Sequence, residues 1–404
     1  MYKTAWRIAP REYPGVPSVK EAVKEALKKP FGVSLAELVK PGNKVAIAAD
    51  DLTRPTPQAE LLPVILDELA ILGIDEKDIT IIIGLGAHRR MSKAEIEIRF
   101  GGAVQRVGAI VNHDVDDCIA IGRTSTGGDI AVNRVFYEAD VKIAVGCILP
   151  HIYAGWSGGA KMVQPGISSV KTTTHVHRIA NMHLYEILGN TENLVRTEME
   201  QIAAVAGLKF IINVVLNDKN EVISVVAGDT VEAHRAGVSE AEKIFGWNGL
   251  EPVDLAVAYA PGVATDLWQS AKSLTVGAMA IKQGGTVVLV AACPEGISPG
   301  HPIIKELGTV SFNEVLHRVD NGLLEDTVGA LVHMTIAKCR EKGRVILVSS
   351  GISKQEAACL GMESAADVDE ALRMAVSCYN VAPKVGFIEC AGELSISIKE
   401  EYCK

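Results

Sequence analysis

Short apolar, β-rich runs alternate with helix-period stretches from one end of the chain to the other, and this alternation limits the fold more than any single motif. Strands separated by helices pair parallel through crossovers, so the pattern predicts α/β layers with largely parallel sheets. Strands are expected over 44–49, 79–83, 109–111, 141–149, 209–216 and 221–226, and helices over 58–72, 92–100 and 231–245. The stretch 246–252 is short, polar and bears Gly and Pro, the composition of a domain boundary. A second series follows, with strands over 254–259, 286–292, 344–348 and 384–388 and helices over 266–281, around 312–341 and up to 377. The expectation is two α/β domains, 1–250 and 251–388, with the tail 389–404 assigned as returning to the first. A cleft between them is the default site.

At 404 residues the chain is long enough to bury two cores. Forty basic against 49 acidic residues, a net charge of −9, argue against a broad nucleic-acid surface while leaving room for a local anion pocket. The longest apolar runs, 142–149 and 286–293, stop short of the roughly 18 residues of a membrane span. The start, MYKTAWRIAPREYP, has charges and prolines where a signal peptide needs an apolar stretch, so a cytoplasmic protein is expected. Cys118, Cys147, Cys293, Cys339, Cys359, Cys378, Cys390 and Cys403 form no C-x-x-C pair, which reads as reduced thiols.

Five segments carry candidate chemistry. Directly after the first of these strands comes DDLTRPTP, which puts Asp50, Asp51, Thr53 and Arg54 at a strand's carboxyl end. Arg54 suits a phosphate or carboxylate because its fork donates two parallel hydrogen bonds. The plainer alternative has the aspartates capping the next helix and pairing with Arg54. After the strand at 79–83 comes GLGAHRR, which begins like a dinucleotide fingerprint and fails it, because Arg89 replaces the third glycine. What remains is a tight turn that delivers His88 to the same sheet edge.

The segment 151–161, HIYAGWSGGAK, is not a P-loop, since Ala160 separates Gly159 from Lys161 and Met162 stands where a Ser or Thr is required. Three glycines, Gly155, Gly158 and Gly159, still bring backbone close to something with an amine at its edge. A buried lysine there can lose its charge and act as a nucleophile, or it can simply hold a phosphate. His175, His177 and His183 follow within nine residues, and imidazole suits nickel, zinc or copper. Positions i and i+2 do not share a helix face, so only one of His175 and His177 can face a given site. In the second half, Gln269 and Lys272 are three apart on a predicted helix and so lie together, either gripping a carboxylate across the cleft or forming a solvated face.

Taken together, DDLTRPTP, GLGAHR, H-x3-GWSGGAK and a later histidine resemble the nickel-pincer lactate racemase family, over most of the chain. The resemblance implies a 2-hydroxy acid racemase or epimerase, an isomerase. Its cofactor is a nickel-pincer nucleotide (nickel pyridinium-3,5-bisthiocarboxylic acid mononucleotide) joined to Lys161, with nickel completed by His177, sixteen residues on. It implies His88 and His151 as the acid/base pair. Cofactor contacts fall to Asp51, Thr53, Arg54, Gly158 and Gly159, and substrate contacts to Arg54, Trp268, Gln269 and Lys272. The partners it implies are a small 2-hydroxy acid and cofactor-making enzymes, with neither nucleic acid nor membrane. Arg90 replaces a common proline, Trp156 a common phenylalanine, and Trp268 the tyrosine usual in lactate enzymes, which points to a larger or differently polar hydroxy acid. A non-catalytic protein that binds the cofactor or a hydroxy acid is the alternative, distinguished by whether both histidines are dispensable.

Overall fold

The computed structural model describes residues 1–260, 264–399 and 401. Cys403 and the end of the tail lie outside them, and the seven described cysteines are free thiols. Two six-stranded sheets dominate. In the first, Val45–Asp50 is central, flanked by Val141–Cys147 and Ile79–Gly84 in parallel pairing. Ala109–Asn112 lies beyond the second of these, and Phe210–Leu216 beyond the first. Val222–Gly228 closes the far edge antiparallel. Every residue of Val45–Asp50 and of Phe210–Leu216 is buried, as expected for strands covered by helices on both faces.

The second sheet is parallel throughout and places Val253–Tyr259 between Lys384–Ile388 and Ile281–Val290, with Arg344–Val348 and Glu363–Ala365 beyond. Its other edge corrects the expected division at 1–250. Lys3–Ile8 pairs parallel with Lys384–Ile388, so the chain's first strand belongs to the second sheet. That strand exposes most of its residues, and nothing in its local pattern could announce a partner some 380 residues away. The supposed boundary at 246–252 is also structured: Gly246–Leu250 pairs parallel with Ser395–Ile398, so glycine-rich composition yields there to tertiary pairing. The strand expected over 141–149 stops at Cys147, and Pro150–His151 then forms a short antiparallel pair with Gly155–Trp156. One apolar core cluster runs continuously through both sheets. No helix among the described residues is long and apolar enough to cross a membrane.

Candidate active site

From the central strand the chain steps outward on one side through Ile79–Gly84 and Ala109–Asn112, then re-enters on the other side with Val141–Cys147. Ligands gather outside the carboxyl ends of strands at such a reversal. A cavity opens there, lined by Asp51, Thr53, Arg54, His88, His151, Gly158, Lys161, His177, Trp268, Gln269 and Lys272. Of the expected site residues only Gly159 is outside the lining. Its N–H donates to Asn213 Oδ1 at 2.8 Å, and a side chain on it would meet the His234 ring at 2.9 Å, so Gly159 serves close packing beneath the site.

The two aspartates divide their work. Asp50 is buried and structural: it accepts from Thr56 Oγ1 at 2.5 Å, Gln58 Nε2 at 2.8 Å and Arg99 Nη2 at 2.6 Å. Asp51 accepts from the amide and hydroxyl of Thr53 at 3.0 and 2.6 Å, and its other oxygen stands 2.8 Å from His88 Nδ1. Neither caps the following helix, whose N-terminal position is Pro57. Burial works against the charge of Asp51, but His88, Thr53 and Arg54 outweigh it and hold the carboxyl well below its ordinary range. Arg54 donates only to Thr53, at 2.8 and 3.1 Å, and has no carboxylate partner among the described residues. That leaves a guanidinium available for an anion.

The Gly-rich loop is held from below. Gly158 has φ +73°, and a Cβ there would lie 2.7 Å from Asn213 Oδ1, so glycine is required twice over. Arg196, fully buried, donates to the carbonyls of Ala154 (3.2 Å), Trp156 and Gly158 (3.4 Å), while His234 Nε2 lies 2.9 Å from the Ser157 carbonyl. Trp156 is buried too, and its indole N–H donates to Gly189 at 2.9 Å, a bond that phenylalanine could not make. Lys161 emerges from this frame with its amine making no hydrogen bond or ion pair among the described residues. Burial, then Arg54, Lys272 and Arg196, pushes its pKa well below the ordinary lysine value.

His151 is kept neutral by burial, reinforced by Lys161. Its Nδ1 accepts from the Tyr153 amide at 3.2 Å, which leaves the ring proton on Nε2. The helix Val170–Met182 begins at Ser169, whose side chain accepts from Thr172, and brings His177 to the cavity. His175 lies off the site, with Nε2 2.8 Å from Thr126 Oγ1, and His183 pairs with Glu186 at 3.1 Å, so one imidazole of three is delivered. The Nδ1 of His177 is buried without a hydrogen-bond partner. Burial, then Lys161 and His88, brings its pKa down to about 3.

The second lobe contributes the helix Leu267–Ala280, opened by Asp266, which accepts from the Gln269 amide at 2.8 Å. Lys272 Nζ donates to Gln269 Oε1 at 2.7 Å, and Gln269 Nε2 is 3.4 Å from His88 Nε2. The amide-ammonium pair therefore faces the cavity rather than solvent. Burial, then Arg54, lowers the pKa of Lys272 to about 7. The ring of Trp268 lies 6.2 Å from that of His88 and 4.2 Å from that of His301.

Two family models match the sequence: a lactate racemase N-terminal domain over residues 3–187 and a lactate racemase C-terminal domain over residues 251–392. Curated lactate racemases from Thermoanaerobacterium thermosaccharolyticum and Lactiplantibacillus plantarum are each 30% identical, covering 92% of this chain and 89% of the relative. The chain belongs to the lactate racemase family. The lactate racemase apoprotein structure from T. thermosaccharolyticum superposes with a TM-score of 0.85 at 27% identity, covering 98% of this chain and 95% of that one. A Thermotoga maritima protein shares the fold at a TM-score of 0.74 and 20% identity, covering 96% and 100%.

Within this lactate racemase framework several site residues escaped sequence reasoning. His301 holds Asp326 through Nδ1 at 2.8 Å and reaches the Ala87 carbonyl through Nε2 at 3.3 Å, bridging the second lobe to the turn that carries His88. Tyr153 stacks 4.8 Å from His177, and its hydroxyl bonds Thr335 and Asn181. Arg90, by contrast, forms an exposed pair with Asp114 at 3.1 Å, outside the cavity lining. Among the described residues no three His, Cys, Asp or Glu side chains form a group able to hold a metal.

Proposed function

We propose that this chain is a 2-hydroxy acid racemase or epimerase that uses a nickel-pincer nucleotide joined to Lys161, with His88 and His151 as its acid/base pair. The observation that carries this reading is the convergence of both imidazoles, the partnerless amine of Lys161 and the cations Arg54 and Lys272 on one cavity. The donor set fits the cofactor. A half-buried lysine whose pKa is held well below the ordinary value is in the neutral form that can be acylated, and a buried, unbonded imidazole nitrogen suits a metal. Among the described residues no cluster of side chains could hold nickel, so the ion would need donors beyond His177, which the bound nucleotide would provide. The Gly158 amide is the group suited to its phosphate, since the Thr53 hydroxyl already donates to Asp51 and Arg54 serves the substrate carboxylate. The Asp51 oxygens are already taken by Thr53 and His88, so Asp51 acts through His88.

When bound, the nickel-pincer group supplies a hydride acceptor, so inversion does not require an ordinary base to remove the weakly acidic C–H of a hydroxy acid. The chain supplies the rest. Arg54, Gln269 and Lys272 bind and orient the carboxylate. His88, its Nδ1–H directed to Asp51, keeps a lone pair on Nε2 and takes the hydroxyl proton. To serve as the acid, His151 must enter the cycle as an imidazolium, its Nδ1 giving up the Tyr153 amide; its Nε2–H then goes to the oxygen as the alcohol re-forms and the ring returns to the neutral form described above. Two imidazoles held in opposite protonation states serve one enantiomer, and the swapped states serve the other. Trp268 beside His88 gives the substrate's side chain a bulkier and differently polar wall than a tyrosine would, which makes lactate itself only one acid of the panel.

The test is co-expression with cofactor-making enzymes, then chiral chromatography over a panel of enantiopure 2-hydroxy acids. Racemisation of at least one acid, equimolar nickel and a mass increment on Lys161 are expected. Turnover with unmodified Lys161, or a loaded protein inert toward the whole panel, overturns the reading.

A further inference from the structure

The main cavity continues into a smaller side chamber that shares Arg54, His151, Gln269 and Lys272 with it. Among the described residues two cations, Arg54 and Lys272, and one acid, Glu393, line this chamber. Glu393 comes from the turn Ala391–Glu393, which packs directly on the helix Leu267–Ala280. A Cβ on Gly392 would lie 3.0 Å from Ser273 Oγ and 3.3 Å from Lys272 Cβ, so the turn approaches as closely as glycine allows. The pairing of Ser395–Ile398 with Gly246–Leu250 anchors the chain just beyond. Glu393 is thereby held next to the carboxylate-binding pair.

Its carboxylate makes no hydrogen bond or ion pair among the described residues, and neither cation pairs with it. Burial raises its pKa, with Lys272 and Arg54 pulling the other way, so the three groups sense one another across a gap. One substrate carboxylate on Arg54 and Lys272 brings the chamber to charge balance. A second would have no cation left and would face Glu393, at a like-charge cost. A hydroxyl on the neighbouring carbon would instead find an acceptor already desolvated and unused.

Resting on the racemase reading above, we propose that Glu393 is a specificity-determining residue that faces the side chain of the bound 2-hydroxy acid, rejecting dicarboxylic acids and favouring monocarboxylic acids with a hydroxyl on the next carbon. A counter-ion for Arg54 and Lys272 would affect every acid alike, whereas a specificity residue changes their ratio.

Glu393→Gln keeps shape and removes charge. Lactate, malate and glycerate are titrated calorimetrically into the cofactor-free full chain, and their kcat/KM values are measured on the loaded enzyme. Relative to wild type, the malate-to-lactate preference of E393Q rises ~10-fold or more, and the glycerate-to-lactate preference falls ~5-fold. The same fold-change for all three acids, or none, overturns the proposal, as does failure of the wild type both to bind and to turn over any of them. Shifted binding preference in a loaded protein that racemises nothing sinks the racemase reading while leaving Glu393 as the selector. Racemisation with unmoved ratios does the reverse.

Discussion

The imidazole Nδ1 of His88 stands 2.8 Å from the Asp51 carboxylate, and the two residues come from the ends of neighbouring parallel strands whose register sets Asp50 opposite Gly84. The pair depends on sheet pairing, and it selects the tautomer with the proton on Nδ1 and the lone pair on Nε2. Asp51→Asn keeps the size and loses the charge that favours an imidazolium. It should lower kcat by ~10²–10⁴ with little change in the unfolding midpoint. A kcat within tenfold of wild type would show that the carboxylate does not orient the base.

Lys272 gives the pH dependence a definite sign. Burial first, then Arg54, lowers its pKa from the ordinary 10.5 to about 7, so the free protein loses the ammonium as pH rises through about 7. Carboxylate binding weakens with it, and kcat/KM should fall ~10-fold per pH unit above that point. Stability moves the other way. Between about 7 and 10.5 the unfolded chain holds a proton that the folded one has released, so raising pH in that window favours the fold. Lys272→Met should remove both trends and lower kcat/KM by roughly 10–100-fold, from the lost charged hydrogen bond. Parallel pH profiles in the two proteins would assign the limb to another group.

Lys161 is kept at the expense of stability. The residue is half-buried and faces the cavity, and its amine has no partner among the described residues, so Lys161→Met, close to it in volume, should stabilise the cofactor-free fold by up to about 1 kcal/mol in urea titration at neutral pH. The same variant should show no mass increment and retain no nickel after co-expression. An unchanged or lower urea midpoint would mean that the amine has a partner the fold depends on.

Local chemistry carried the legible part of this protein. Arg54, His88 and His151 could be located because each follows a strand, where α/β sheets put their sites; the i, i+2 spacing said only that His175 and His177 point apart, and the resemblance, not the spacing, named His177. What stayed hidden was decided by distant partners. Arg196 belongs to no motif, yet it is buried against the carbonyls of a loop some forty residues earlier. Lys3–Ile8 and Gly246–Leu250 are strands only because of segments near the other end of the chain. Glu393 follows an unremarkable Ala-Gly, and only packing against Ser273 and Lys272 gives it a chamber to face.

His301 is the residue by which the second lobe holds the turn bearing His88. Its ring packs at a tilt against Trp268 with centroids 4.2 Å apart, its Nδ1 is tied to Asp326 at 2.8 Å, and its Nε2 lies 3.3 Å from the Ala87 carbonyl. Removing it takes away an aromatic contact of about 0.5–1.5 kcal/mol and a carboxylate-assisted hydrogen bond of about 1.5–3 kcal/mol. His301→Ala should therefore reduce kcat/KM by ~30-fold or more, chiefly through KM, since Gln269 and Lys272 share the helix that carries Trp268. His301→Phe keeps the ring packing and loses both bridges, so it should recover the smaller part of that loss. Kinetics with the best substrate of the panel decide the matter: if H301F matches wild type, ring packing alone holds the lobe, and if H301A does too, the bridge to Ala87 has no bearing on binding.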